Sequence, residues 1–475
     1  MKLKRVMIAA PKSGSGKTTI TCALLQALKD MGGQVVSYKC GPDYIDPMFH
    51  EKVIGLPSKN LDTYFTDEQK TKELLLKNRT EEEYAVLEGV MGLYDGLGGV
   101  REEGSSYHLA KVTGTPVILV VDAKGMGYSI LPLLAGFLAY DKEHLIRGVI
   151  LNRMSKAYYG SIAPLIEEEL KINVLGYFPE HKEFCIESRH LGLVLPEELE
   201  HIRAQLHQAA EELKRTVSLE AILRVAESAR EFEEEESAGH IPTGKDSMEK
   251  VQISAGKEYK EKQLFVRPVI AVARDEAFCF YYADNLRLLE EYGAELKFFS
   301  PIHDVGLPDG CHALLLGGGY PELYADRLSK NVGMRAAIQK AAEQGMPIVA
   351  ECGGFMYLHS AIRKDEESYD MAGVIPAVCS DSGRLARFGY IELREKKSSF
   401  LPTGERIKGH EFHYYDSTEN GTDCLAVKPV TGREYPCVME GENYWFGFPH
   451  LYYPSNPAFA ERFVEKAADF LHNRL

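Results

Sequence analysis

The stretch Pro11-Lys12-Ser13-Gly14-Ser15-Gly16-Lys17-Thr18-Thr19 constrains this chain most, because it joins an apolar run, Arg5–Ala10, to a helical pattern, Thr18–Met31. Strand, tight turn of small residues and helix, in that order, make a phosphate loop. Backbone N–H groups close around phosphate oxygens, and the helix N-terminus favours negative charge. Gly14 and Gly16 permit the turn, Lys17 pairs with the β- and γ-phosphates, Thr18 holds Mg²⁺ through its hydroxyl, and Thr19 joins the same ATP-binding set. Pro11 stands where the strict pattern has its first glycine.

The residues that follow keep alternating strand with helix. Gln34–Tyr38, Tyr84–Glu88, Pro116–Val121, Gly148–Leu151 and Asn173–Phe178 are short apolar runs, mostly β-branched and bounded by Gly or Pro. They predict buried parallel strands in a doubly wound α/β sheet over residues 1–200. From Glu198 to Arg230 the pattern is helical and amphipathic; four glutamates, 233–236, and the polar stretch SAGHIPTGKDSMEK follow. Residues 201–266 therefore read as a helical segment and linker. A second doubly wound α/β domain, 267–475, begins with strands Pro268–Ala273, Glu295–Phe299, Ala313–Leu316 and Pro347–Ala350 and a helix over Tyr281–Tyr292. Short β segments and a last helix, Ala458–His472, complete it.

Ligands of parallel sheets gather at the carboxyl ends of the strands. Lys39, Asp43 and Asp46 follow one strand there, Glu88 ends another, and Asp95 lies in the loop beyond it. Glu88 and Asp46 are candidates for Mg²⁺; Lys39, Asp43, Asp46 and Asp95 are candidates for the substrate or acyl-phosphate site. Asp43, Asp46 and Asp95 also suit turns beside Gly and Pro. Asn152, ending a strand, could bond an adenine edge or cap a helix.

Val349-Ala350-Glu351-Cys352-Gly353-Gly354-Phe355 places a cysteine at a sharp strand-to-helix turn, as a nucleophile elbow does. The helix N-terminus should lower the thiol pKa. Gly318 and Gly319, in Gly317-Gly318-Gly319-Tyr320, are candidate oxyanion-hole donors. A nucleophilic thiol needs a base; His450 is the first choice, with His410 and His413 as competitors.

Composition excludes several classes. Lys+Arg 55 against Asp+Glu 70 gives a net charge of −15 over 475 residues, which argues against a general nucleic-acid binder. No apolar run reaches the ~18–20 residues of a membrane span. The nine cysteines are scattered without any CxxC, so a disulfide framework and a structural zinc site are not expected and a cytoplasmic location is.

Taken together, the loop 10–19, the signatures 39–47 and 88–96, the glycine loop 317–322, the elbow 351–358, and the stretches 409–414 and 450–457 resemble the cobyrinic acid a,c-diamide synthase family. That family joins a P-loop synthetase, akin to ParA/MinD and dethiobiotin synthetase, to a class I glutamine amidotransferase. Lys12 matches the signature lysine of ParA/MinD loops, or is a solvated charge. The resemblance implies amidation of the a and c carboxylates of cobyrinic acid, a corrinoid, with ATP, Mg²⁺ and L-glutamine. Cys352 would form a glutamyl thioester while His450 shuttles protons. The resemblance also admits nickel-sirohydrochlorin as substrate and leaves a homodimer open. A ParA/MinD-like switch ATPase is the alternative from another class; it gives Cys352 no task. Where the family commonly has His-x-His, this chain has Tyr452, and the subgroup lacks the acidic triad member.

Overall fold

The computed structural model describes residues 3–77, 79, 83–181, 196–232 and 267–474. Cys185 and the glutamate run with the linker after it lie outside the described residues. The chain forms two compact units that divide after Gly239.

The first unit is built on a seven-stranded sheet. Its strands are β1 (Lys4–Ala9), β2 (Val35–Cys40), β3 (Ser58–Leu61), β4 (Tyr84–Glu88), β5 (Val117–Asp122), β6 (Ile146–Asn152) and β7 (Val174–Phe178). The order is β3-β2-β4-β1-β5-β6-β7, and every neighbouring pair is parallel. The strands are apolar on both faces because helices cover both. Helix α1 (Lys17–Asp30) buries every residue from Ile20 to Leu28. It packs in one core cluster with Val6, Ile8, Val86, Ile118 and Ile150. Leu206, Ala210, Leu213, Ile222 and Val225 join that cluster, so the helices Pro196–Thr216 and Leu219–Glu227 pack into the first unit's core. Strand β3 has no sequence signal: Ser-Lys-Asn-Leu is polar, and it forms by pairing with β2 at the sheet edge.

The second unit has a six-stranded sheet in the order Glu295–Phe299, Val269–Ala273, Ala313–Leu316, Ile348–Glu351, Tyr444–Gly447, Met439–Gly441. The first five are parallel and the last antiparallel. Side-chain alternation divides its core by face: Ala271, Leu314 and Ile348 enter one cluster, and Ile270, Leu315 and Val349 enter the other, beneath helix Ala458–His472. A five-stranded antiparallel sheet carries the long pair Arg387–Glu395 and Arg406–His413, with short strand His450–Leu451 at its edge. No helix of the described residues is long and apolar enough to cross a membrane.

Candidate functional sites

In the first unit the sequence-selected residues meet at the carboxyl ends of β1, β2, β4 and β6. Gly14 and Gly16 have φ of 75° and 91°, the left-handed region that side chains avoid. A Cβ on Gly16 would lie 2.1 Å from Asn152 Nδ2, so only glycine lets the loop close here. Asn152 Nδ2 donates to Ser15 O at 2.8 Å and braces the loop from β6. The loop after β4 is stitched to β1 by Gly89 N–H to Ile8 O and Leu93 N–H to Ala10 O, at 2.9 and 2.8 Å.

Behind the loop lies a buried charge cluster. Lys39 Nζ sits 2.5 Å from Asp46 Oδ2 and 3.1 Å from Glu88 Oε1. Thr18 Oγ1 donates to Glu88 Oε1 at 2.6 Å. Burial opposes the charge on Lys39, but Glu88 and Asp46 outweigh it and hold its pKa well above the ordinary value. Burial likewise opposes ionisation of Asp46, and the Lys39 ammonium more than compensates, lowering its pKa. Burial and the charge of Asp46 push Glu88 up to about 7. Burial and Lys39 push Lys17 down to about 8; its Nζ donates to Met91 O at 2.5 Å.

Glu88 Oε2 is buried and accepts no hydrogen bond. A hard carboxylate oxygen left unused beside the Thr18 hydroxyl suits Mg²⁺, so these residues fit the ion. The other candidates divide. Asp43 Oδ1 accepts the Ile45 N–H at 2.9 Å, and burial with Asp46 pushes its carboxyl up to about 6. Asp95 is exposed, and its Oδ2 accepts the Gly92 N–H at 2.9 Å, closing the turn. Thr19 is half-buried at the start of α1, and Lys12 is exposed.

Sequence reasoning missed His50. It is fully buried behind Glu88, with Nε2 3.6 Å from Glu88 Oε2 and Nδ1 2.8 Å from Ser37 Oγ. Burial pushes its pKa down to about 4, so the ring is neutral and the contact is no ion pair. Its spacing of four residues from Asp46 was the available signal.

In the second unit Cys352 sits between strand Ile348–Glu351 and helix Gly353–Leu358 with φ 47° and ψ −102°, a strained conformation for a non-glycine residue. Its N–H donates to Gly447 O at 2.8 Å. The glycines around it are obligatory. A Cβ on Gly354 would lie 2.1 Å from Leu316 O, and one on Gly353 would lie 3.0 Å from Gly319 N. A Cβ on Gly318 would lie 2.3 Å from His450 Cε1. The segment Gly318–Gly319 thus has the elbow on one side and the His450 ring on the other.

Packing reverses the effect expected of a helix N-terminus. The thiol of Cys352 is not lowered by the short helix it begins. Burial and the negative charge of Glu322 push it up, and the Gly353 N–H offsets only part. The histidines separate by geometry. His410 stacks on His450 with ring centroids 4.9 Å apart, whereas His413 lies flat on Phe448 at 4.0 Å and its Nδ1 is bonded to Tyr415 O at 2.6 Å. Tyr452, at the position of the missing histidine, turns its hydroxyl to Asp284 Oδ2 at 3.1 Å. Glu351, next to the elbow, accepts the Tyr453 hydroxyl at 3.3 Å and is pushed up to about 8 by burial.

Known proteins are similar to the chain over both units. Residues 6–193 match the CobQ/CobB/MinD/ParA nucleotide binding domain, and residues 269–449 match the CobB/CobQ-like glutamine amidotransferase domain. The cobyrinate a,c-diamide synthase of Caldanaerobacter subterraneus subsp. tengcongensis is 37% identical over 469 residues, 98% of this chain and 98% of that one. That of Fusobacterium nucleatum subsp. nucleatum is 38% identical, covering 97% and 99%. That of Picrophilus torridus is 35% identical, covering 98% and 99%.

Proposed function

This chain belongs to the cobyrinate a,c-diamide synthase family, and from that premise we propose that it amidates the a and c carboxylates of cobyrinic acid with ATP and glutamine. The observation that carries the reading is the presence in one chain of a phosphate loop backed by Lys39, Asp46 and Glu88 and a strained cysteine elbow against Gly318–Gly319.

The chemistry explains why both are needed. A carboxylate resists attack by ammonia because oxide is a poor leaving group. Its oxygen attacks the γ-phosphorus of ATP, the bond to ADP breaks, and an acyl phosphate forms. Ammonia then adds to the carbonyl carbon, phosphate leaves, and one proton is lost. The backbone of residues 11–19, with Gly14 and Gly16, Thr19 and the start of α1, would hold the phosphates, and Asn152 keeps that loop in shape. Lys17 would turn from Met91 O to the phosphates. Thr18, Glu88 and Asp46 would hold Mg²⁺, which supplies charge neutralisation at the transferred phosphoryl group. Lys39, Asp43 and Asp95 border the same edge and would contact the acyl-phosphate site.

In the second unit the Cys352 sulfur would attack the glutamine amide carbon as its proton passes to His450. The tetrahedral oxyanion would take N–H bonds from Gly318 and Gly319. His450 would return the proton to the leaving nitrogen, releasing ammonia; water would then cleave the thioester and release glutamate. Burial raises the Cys352 thiol and lowers His450 alike, so the pair would rest as thiol and neutral imidazole and the proton would pass only as attack begins.

The test supplies ATP, Mg²⁺ and glutamine with cobyrinic acid, and in parallel with nickel-sirohydrochlorin, and follows product mass. Two successive carboxylate-to-amide steps on cobyrinic acid are expected. Conversion of nickel-sirohydrochlorin alone would move the substrate, and ATP hydrolysis with neither converted would favour a switch ATPase. Cys352→Ala should abolish glutamine-driven synthesis and leave ammonia-driven synthesis; loss of both would refute the separation of the two chemistries.

A further inference from the structure

The base of a cysteine or serine nucleophile needs its ring held in place, a task usually performed by a carboxylate hydrogen-bonded to one ring nitrogen. Burial, then His410 and His413, push His450 well below its ordinary pKa. His410 and His450 face each other across antiparallel strands as register partners. Their rings are 4.9 Å apart and inclined by only 16°. This is within the range of offset-stacked aromatic pairs.

The stack is anchored on both sides. A Cβ on Gly409 would lie 2.3 Å from His450 O, so the two strands meet as closely as glycine permits. Tyr282, buried at the start of helix Ala283–Glu291, places its hydroxyl 3.1 Å from His410 Nδ1. The ring of Tyr282 meets Tyr452 edge-on at 5.1 Å, and Tyr452 is held by Asp284. From the same helix, Asn285 Nδ2 donates to Leu451 O at 2.8 Å, and Asn285 Oδ1 accepts the Tyr453 N–H at 2.8 Å. The backbone on the far side of His450 is therefore clamped by the helix that anchors His410.

We infer that His410 is a positioning residue for the glutaminase reaction: its ring, steered by the Tyr282 hydroxyl, fixes the plane of His450. The inference rests on Cys352 and His450 being the glutaminase pair. When His450 takes the thiol proton it becomes an imidazolium. Burial pushes His410 down to about 3, so the ring stays uncharged while its neighbour gains a proton. Tyr452, at the family's usual histidine position, fits the same scheme through its edge-on packing against Tyr282.

The experiment compares His410→Ala, His410→Phe, Tyr282→Phe and Cys352→Ala in the full chain, reading kcat and KM for glutamine hydrolysis. Ammonia-driven synthesis and thermal unfolding report the fold. Phenylalanine keeps a flat ring on His450 and loses only the bond to Tyr282. His410→Ala should lower kcat about 100-fold with KM within about threefold, while His410→Phe should stay within about tenfold of the parent. Equal losses in the two variants, a loss confined to KM, or an alanine variant within about threefold of the parent kcat would overturn the inference. If the alanine variant fails to fold, the phenylalanine pair decides: a loss of about 100-fold or more in His410→Phe refutes the stacking role. Glutamine hydrolysis persisting in Cys352→Ala would instead refute the underlying site assignment, and with it this proposal.

Discussion

Replacing Gly318 by alanine adds one methyl group at the point where the glycine loop meets the His450 ring. Its Cβ would lie 2.3 Å from His450 Cε1 and 3.1 Å from Nδ1. Ordinary carbon contacts begin near ~3.5 Å. The His450 ring must therefore move by about 1.2 Å, or the glycine loop must recede by the same amount. The backbone of Gly318 is not left-handed, so the substitution carries no conformational penalty beyond the contact. Overpacking of this kind costs ~1–3 kcal/mol, which a unit of this size survives. A misplacement of ~1 Å in a catalytic group costs on the order of 100-fold in rate. Gly318→Ala should thus lose about two orders of magnitude in glutamine hydrolysis while ammonia-driven synthesis stays near that of the parent. Gly319→Ala is the contrasting case. Its φ is +156° and its Cβ would lie 2.0 Å from Ala277 O, so both activity and thermal stability should fall. Steady-state glutamate release and scanning calorimetry measure the two effects. Glutamine hydrolysis by Gly318→Ala within about threefold of the parent would refute the placement of His450 against the glycine loop.

Lys39→Met should cost ~3–5 kcal/mol in denaturant unfolding, because it strands the buried carboxylates of Asp46 and Glu88; a loss below about 1 kcal/mol would deny the ion pairs that role. Glu395 is buried and pushed up to about 10 by burial and by the adjacent Glu440, so it is neutral when folded and ionised when unfolded at pH 7. A raised carboxyl favours folding most below its unfolded pKa, and that contribution is lost as pH rises toward the folded value. Glu395→Gln should therefore raise the unfolding midpoint relative to the parent, by a margin that widens from about pH 5 to pH 9; a margin independent of pH would refute this. The raised Cys352 thiol should make its alkylation by iodoacetamide, followed by mass, slow at neutral pH and still accelerating above pH 9. A rate plateau near neutrality would contradict the burial argument.

The phosphate loop was legible because its chemistry is local. Gly14, Gly16, Lys17 and Thr18 need only their own backbone geometry and the strand and helix on either side. The same holds for the elbow, where Gly353 and Gly354 announce a crowded turn. Glu88, at the end of β4, and Asp46, in the helix Ile45–Phe49 that follows β2, were legible through the rule that parallel sheets present their carboxyl edge to ligands. His50 was not, because it lies in a helical turn while its neighbours Ser37 and Ser58 come from β2 and β3, and its spacing from Asp46 alone does not mark a buried ring. The direction of the Cys352 shift was misjudged for a similar reason. A helix N-terminus is visible in sequence, but burial beside Glu322 is a fact of packing.

By itself, the order of residues determined the two α/β units, the phosphate loop, the elbow and the family, since each depends on short-range pattern. The tertiary structure decided which side chains meet: that Lys39 lies between Asp46 and Glu88, and that His410 lies over His450. Those pairings join residues from separate elements, and their protonation depends on how far water is excluded. Both are set by packing, which no local pattern in the chain records.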